Sequence, residues 1–265
     1  MLRWSVARWL VLAAMMVATG AAVSADAVRV RHVEGLVHGF LILRDEGGKI
    51  IGRGDLAQVA QGGRVTSRLT FDFEDGSVYD DTAVFTQRTS FRLVRERLRQ
   101  HGPSFPKPID MTVDVPNQRV KVVYSEDGKE KTADKKMDVP PDLANGLIPV
   151  LLKNVNRSAP PKELSLIVAT PAPQLIKLEI ASAEPQPFSK GDHDNRVTEY
   201  TLKPHIGGIK GLLAPIVGKQ PADAHVWILE GDAPAFLAAA QQFYPDGPVW
   251  RIELSVPEWR PPEGQ

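Results

Sequence analysis

The chain has 265 residues, no cysteine, and 32 basic against 32 acidic side chains. That balance excludes a general nucleic-acid binder, which needs a basic excess. The missing cysteines exclude disulfides, a thiol nucleophile and thiolate-held metal, and a chain of this length builds a core without such staples.

The first residues read as a cleavable secretory leader. Arg3 and Arg8 form a positive start, Trp9 to Val17 is apolar, and Val23-Ser24-Ala25 gives the small-x-small pattern for cleavage. Gly20-Ala21-Ala22 is a second cleavage point. The competing reading is a membrane anchor, but the apolar run from Trp9 to Val23 falls short of the roughly 20 residues of a span. With no cysteine after the apolar run, lipid attachment through a thiol is excluded. The expectation is a leader at residues 1–25, a β-rich domain at 26–256 and a proline-rich tail at 257–265. The product is then periplasmic or secreted. Loss of Arg3 and Arg8 leaves it a slight acidic excess.

Twenty-two prolines and 21 glycines imply many turns and few long helices. From Val28 to Tyr124 the pattern is hairpin after hairpin. Turn signals stand at Glu46-Gly47-Gly48, Gly62-Gly63, Asp75-Gly76, Pro116-Asn117 and Asp127-Gly128. Between them apolar residues alternate, as with Val65, Leu69, Phe71 and Phe73, or Val120 and Val122. Period two between closely spaced turns marks antiparallel sheet. Pro140 to Asn154 differs, because Leu143, Leu147, Val150 and Leu151 recur at helical spacing. Pro140-Pro141 and Asp142 suit the start of a short buried helix, and Pro149 would kink or restart it. Strands are expected again at Glu163–Ala169, Gln174–Ala183, Arg196–Pro204, His225–Glu230 and Val249–Val256. A glycine-rich apolar segment, 207–218, and an expected helix at Ala233–Tyr244 interrupt them. A hinge is placed near 156–161 if the domain has two halves.

No motif names a reaction. Gly-x-Ser-x-Gly and His-Glu-x-x-His are both absent. Leu213 to Gln220 resembles a phosphate loop only superficially, lacking its first glycine and closing hydroxyl. His32, Glu34 and His38 share one strand parity, which suits either a metal or the polar face of a hairpin. The loop Gly191 to Asn195 offers oxygen ligands for calcium without the regular spacing, so a solvated turn is the plainer reading. Arg95, Arg97 and Arg99 align on one face if their segment is a strand. They then form either an anion clamp or a solvated face balanced by Asp72, Glu74, Asp80 and Asp81. Residues 206–217, with Ile209, Leu212, Leu213 and Ile216, read as a lid over an apolar cavity, as an interface, or as a buried loop.

The exported β-meander through Ser67–Phe73 and Asp110–Tyr124, then the leucine-rich stretch Asp142–Leu152, then more strands, resembles the open half-barrel of the bacterial outer-membrane lipoprotein carriers. It also resembles exported families without annotation that share that architecture. The resemblance is topological, covers about two-thirds of the mature chain and transfers no functional residue. It implies a mainly β (α+β) fold, a curved antiparallel sheet or open half-barrel wrapping a short helix and enclosing an apolar cavity. The first reading is therefore a non-catalytic binding protein without a cofactor or metal. An apolar or lipid-like ligand would lie against Leu143, Leu147 and Leu151, under Ile209, Leu212, Leu213 and Ile216, with Arg95, Arg97 and Arg99 as the anion contact. The alternatives are an envelope assembly protein docking a partner protein through 206–217, and a hydrolase or isomerase of unfamiliar type using His32, His38 or His193.

Overall fold

The computed structural model describes residues 27–156, 158, 160–189, 194–205 and 221–255. The leader, the segment carrying Ile209, Leu212, Leu213 and Ile216, and the tail lie outside the described residues. So does most of the Gly191 to Asn195 loop.

Fifteen strands and one short helix make up the described fold. The first eight strands are β1 (Val37–Arg44), β2 (Ile50–Gln61), β3 (Arg64–Phe73), β4 (Val78–Gln87), β5 (Phe91–His101), β6 (Ile109–Asp114), β7 (Arg119–Glu126) and β8 (Lys129–Lys136). They form an antiparallel meander in chain order. After α1 (Ile148–Asn154) come β9 (Glu163–Val168), β10 (Gln174–Ser182), β11 (Gln186–Ser189), β12 (Asp194–His205), β13 (Ala224–Leu229), β14 (Ala235–Gln242) and β15 (Val249–Leu254). These return in the other direction until β15 pairs with β1 through Leu41–Leu254 and Leu43–Ile252. The sheet order is therefore β8 to β1, then β15 to β12, β10 and β9, with β11 appended to β12. The result is one open antiparallel sheet whose two ends, β8 and β9, are not paired with each other.

The turn chemistry sets this register. Gln61 faces Arg64 across Gly62-Gly63, and Glu126 faces Lys129 across Asp127-Gly128. All four turn residues have positive φ, as tight hairpins require. Gly54 has a different task. A Cβ there would lie 2.3 Å from the Thr70 carbonyl oxygen and 2.5 Å from the Phe71 ring, so the missing side chain lets Phe71 lie flat on β2.

The two open edges are managed differently. The β8 sequence, KEKTADKK, is charged and almost wholly exposed, the usual guard against edge pairing. The β9 edge is covered by the stretch before α1. Ala144 N–H donates to the Ser165 carbonyl at 2.8 Å. The Asn145 side chain accepts from Ile167 N–H at 2.8 Å and donates to its carbonyl at 2.9 Å, imitating a neighbouring strand. Buried Ser165 donates to Asp142, while Lys177 donates to Ser165 at 2.8 Å and to Asp142 at 3.1 Å. With its hydroxyl fully buried, this serine–lysine–aspartate set fastens an edge and does not face a substrate.

The helix is shorter than the leucine spacing suggests. Pro149 stands in its first turn, so the proline starts the helix instead of kinking it. Leu143 and Leu147 lie before it, yet both are buried, as is Leu151. The helix packs against β13 and β14. Asn154 at its end accepts from the backbone N–H groups of Arg31 and His32 at 2.8 and 2.7 Å. Lys153 pairs with buried Glu34 at 2.6 Å.

The helix expected at Ala233–Tyr244 is instead strand β14. Its run of alanines favours a helix in isolation. In the fold it is held between β13 and β15, with Val226, Ala239 and Ile252 in one register row. Asp246, at φ +61, makes the following turn, which the sequence reading passed over. Tertiary pairing overrides local propensity here.

Candidate functional site

The sheet curls until its two halves face each other. Between them is a cavity of about 220 Å³. One wall comes from Tyr79 on β4, Glu96 and Leu98 on β5, and Met111 on β6; Leu166, Ile176, Leu202, Ala224 and Phe243 stand opposite. Asn145 and Ile148, flanking the start of α1, close a third side. The lining is mostly apolar, with polar atoms gathered on Tyr79, Glu96, Asn145, Gln241, Gln242 and Tyr244.

Alternation along β4 and β5 places two carboxyls inside. Asp81 stands across from Leu98, and Glu96 across from Ala83, so the acids occupy neighbouring rows of the inner face. Asp81 is 9% exposed and Glu96 3%. Asp81 Oδ1 and Glu96 Oε2 are buried without a hydrogen-bond partner. Burial foremost, and the nearby Asp80 charge second, lift the Asp81 carboxyl to about 7. Burial foremost, then Asp81, pushes Glu96 well above the usual carboxylate range, against a smaller opposing hydrogen bond from Asn145. The Tyr79 phenol is likewise pushed up by burial and by both acids. Burial and the Asp81 charge both favour the protonated, hydrogen-bond-donating form of the Glu96 carboxyl inside an apolar space.

The connection above the acids is tightly fitted. Gly146 has φ +64, and a Cβ there would lie 2.6 Å from the Ala83 Cβ and 3.5 Å from the Asp81 carboxylate oxygens. Glycine lets the chain pass directly over the pair and turn into α1. On the far side, Gln100 donates to the Phe243 carbonyl at 2.7 Å, tying β5 to the end of β14. Phe71, Tyr79, Phe243 and Trp250 pack ring on ring, with centroids from 4.8 to 6.3 Å apart.

The structure separates the residues singled out in the sequence. Leu143, Leu147 and Leu151 are core; at the cavity the neighbouring Asn145 and Ile148 take their place. Arg95, Arg97 and Arg99 do share the exposed face of strand β5. Arg97 makes a two-pronged contact with Asp110 at 2.6 and 3.0 Å. Arg99 and Arg68 both bond Asp80, whose carboxyl is held low, chiefly by Arg68. These guanidinium groups are thus matched by carboxylates of the chain itself. They lie on the outer face, and none of the three lines the cavity. His32, Glu34 and His38 do not converge. His32 precedes β1, Glu34 faces Lys153, and His38 Nε2 lies 3.1 Å from Asp55. No group of three potential ligands poised for a metal occurs among the described residues.

Asp81 and Glu96 were missed because a carboxylate is by default read as solvated. Asp81, which the sequence pattern sets with the solvated arginine face, belongs to the inner face. The available signal was parity, since Glu96 alternates with Arg95, Arg97 and Arg99 and keeps step with Leu98.

No family model matches the sequence, and no curated protein matches it either. Among solved structures the chain is similar to the crystal structure of a beta-barrel-like protein of domain of unknown function DUF1849 from Brucella abortus. The two are 14% identical with a TM-score of 0.46, over 86% of this chain and 98% of the other.

Proposed function

We propose that the protein is a non-catalytic binding protein whose curled sheet holds a small apolar ligand in the cavity between its two halves. The observation that carries this is the hollow itself. A pocket of about 220 Å³, open on one side, lies between the two halves of the sheet beside aliphatic side chains and a buried carboxyl with one unbonded oxygen. Removal of apolar ligand surface from water supplies the affinity, at roughly 25 cal/mol per Å². In this reading the leader at 1–25 exports the protein, and the segment with Ile209, Leu212, Leu213 and Ile216 acts as the lid.

The test is extraction of protein purified from its native envelope, followed by mass spectrometry of the released compounds, with Ala224→Phe as the comparison. Ala224 lines the cavity, and a ring there fills much of it. A stoichiometric apolar compound, lost from a folded Ala224→Phe protein, supports the reading. A clean blank together with no saturable binding of apolar probes overturns it.

A second reading is docking to an envelope protein. Leu36 and Phe40, four residues apart at the start of β1, are exposed apolar residues. A specific crosslinked partner lost on Phe40→Asp, with no extracted ligand, would move the assignment to it.

A further inference from the structure

We propose that the cavity takes a neutral, mainly apolar molecule bearing one accepting oxygen, of the ketone, ester or amide type, seated with that oxygen at Glu96 and Tyr79. This deepens the binding reading above and rests on it.

The lining decides the charge of the ligand. Among the described residues it includes one carboxyl, Glu96, and no lysine, arginine or histidine. A carboxylate or phosphate head would find no cation among those residues and would face two buried acids. A ligand amine fares little better. It would require Glu96 to ionise at 3% exposure, with Asp81 behind it and Asp80 beyond, and both new ions would be stripped of water. A carbonyl oxygen requires no charge at all.

The hydrogen-bonding inventory decides its polar group. Glu96 Oε2 is buried and has no partner in the protein. Asn145, its polar neighbour, bonds the backbone of Ile167 in both directions and also hydrogen-bonds the Glu96 carboxyl, yet Oε2 stays unbonded. Tyr79 brings a phenol to the same wall, close enough to sense the Glu96 and Asp81 charges. The β6 residue of this wall, Met111, is apolar, and Gln241 and Gln242 are the neutral polar side chains contributed by β14. None of these groups bonds Glu96 Oε2, and a ligand oxygen would supply it with an acceptor.

The volume bounds the size. About 220 Å³ lies below the roughly 300–1,000 Å³ of drug-sized sites and above the ~150 Å³ that holds benzene. A short acyl chain or a single substituted ring fits.

Three probes with one eight-carbon body test this: 2-octanone, n-octylamine and octanoate, titrated calorimetrically into the full protein at pH 6. The expected result is 2-octanone binding about tenfold or more tighter than the other two. Glu96→Leu should weaken 2-octanone by about tenfold, while Glu96→Gln, which keeps a donor, stays within about threefold. If Glu96→Leu fails to fold, Tyr79→Phe replaces it, with a smaller loss in the same direction. Tightest binding by octylamine, abolished in Glu96→Gln, would overturn the proposal in favour of a cation site. Equal binding of all three probes, indifferent to Glu96, would also overturn it and leave the binding reading standing. Binding by none of them, with a blank extraction, removes both.

Discussion

Replacing Asp81 by Asn should flatten the pH dependence of stability in the mildly acidic range. Asp81 titrates at about 7 in the fold, against 3.8 when unburied. Between those values the native state holds a proton that the unfolded chain releases, so stability falls as pH rises. Linkage over this interval gives a loss of about 3 kcal/mol from this one group between pH 4.5 and 7.5. Glu96, also raised, acts in the same direction, and removing the Asp81 charge lessens its share too. Asp80, Asp75, Asp114 and Asp134 are held low, so their contributions are lost only as pH falls below the ordinary carboxylate range, outside the window. The assay is urea unfolding of both proteins at pH 4.5, 6.0 and 7.5, reading the difference between them at each pH. Asp81→Asn should gain on the parent by about 3 kcal/mol from the lowest to the highest pH. Parallel curves would refute the claim that Asp81 is buried against its own charge.

Two further substitutions test the connection that roofs the acids and the helix that follows. Gly146→Ala combines a positive φ with a Cβ 2.6 Å from that of Ala83, and should cost about 3 kcal/mol in urea unfolding; a loss under about 1 kcal/mol would show that the chain shifts freely there. Asn154→Ala removes the acceptor for two backbone N–H groups and the donor to the Val150 carbonyl. It should cost about 2 kcal/mol and speed amide exchange at Arg31 and His32, and unchanged exchange would show that the 27–36 segment is held by other contacts.

Most strands were legible because their causes are local. Val65, Phe71 and Phe73 alternate with polar residues, and Gly62-Gly63 or Asp127-Gly128 fixes the turn, so a short window carries the information. β14 was not legible, and β8 was legible only through the turn at Asp127-Gly128 that precedes it. KEKTADKK has no apolar row, and AFLAAAQQ has the wrong intrinsic preference, so each is a strand only because of its neighbours. The same limit hid the site. Arg97 and Arg99 attract attention by charge, yet their partners Asp110 and Asp80 come from adjacent strands. Asp81 and Glu96 are unremarkable in sequence and become unusual only when the sheet curls and removes water from its inner face.

A purely structural account of that inner face has to explain why it carries acids at all. Leu98 and Met111 adjoin Glu96 in the same wall, and nothing in the strand geometry excludes a third aliphatic side chain. An unpartnered buried carboxyl costs about 1–3 kcal/mol, and two neighbouring acids raise each other's cost. Elsewhere this fold satisfies its buried polar groups with care. Asn145 is matched twice to Ile167, Asp142 is bonded by Ser165 and Lys177, and Glu34 is bonded by Lys153 and Gln58. Asp81 and Glu96 depart from that practice, and Glu96 does so at the edge of a cavity. A missing partner and a missing volume at the same place are accounted for together by a ligand that supplies both. The Glu96→Gln and Glu96→Leu comparison separates these accounts, because a structural carboxyl affects stability in both variants without changing which probe the cavity prefers.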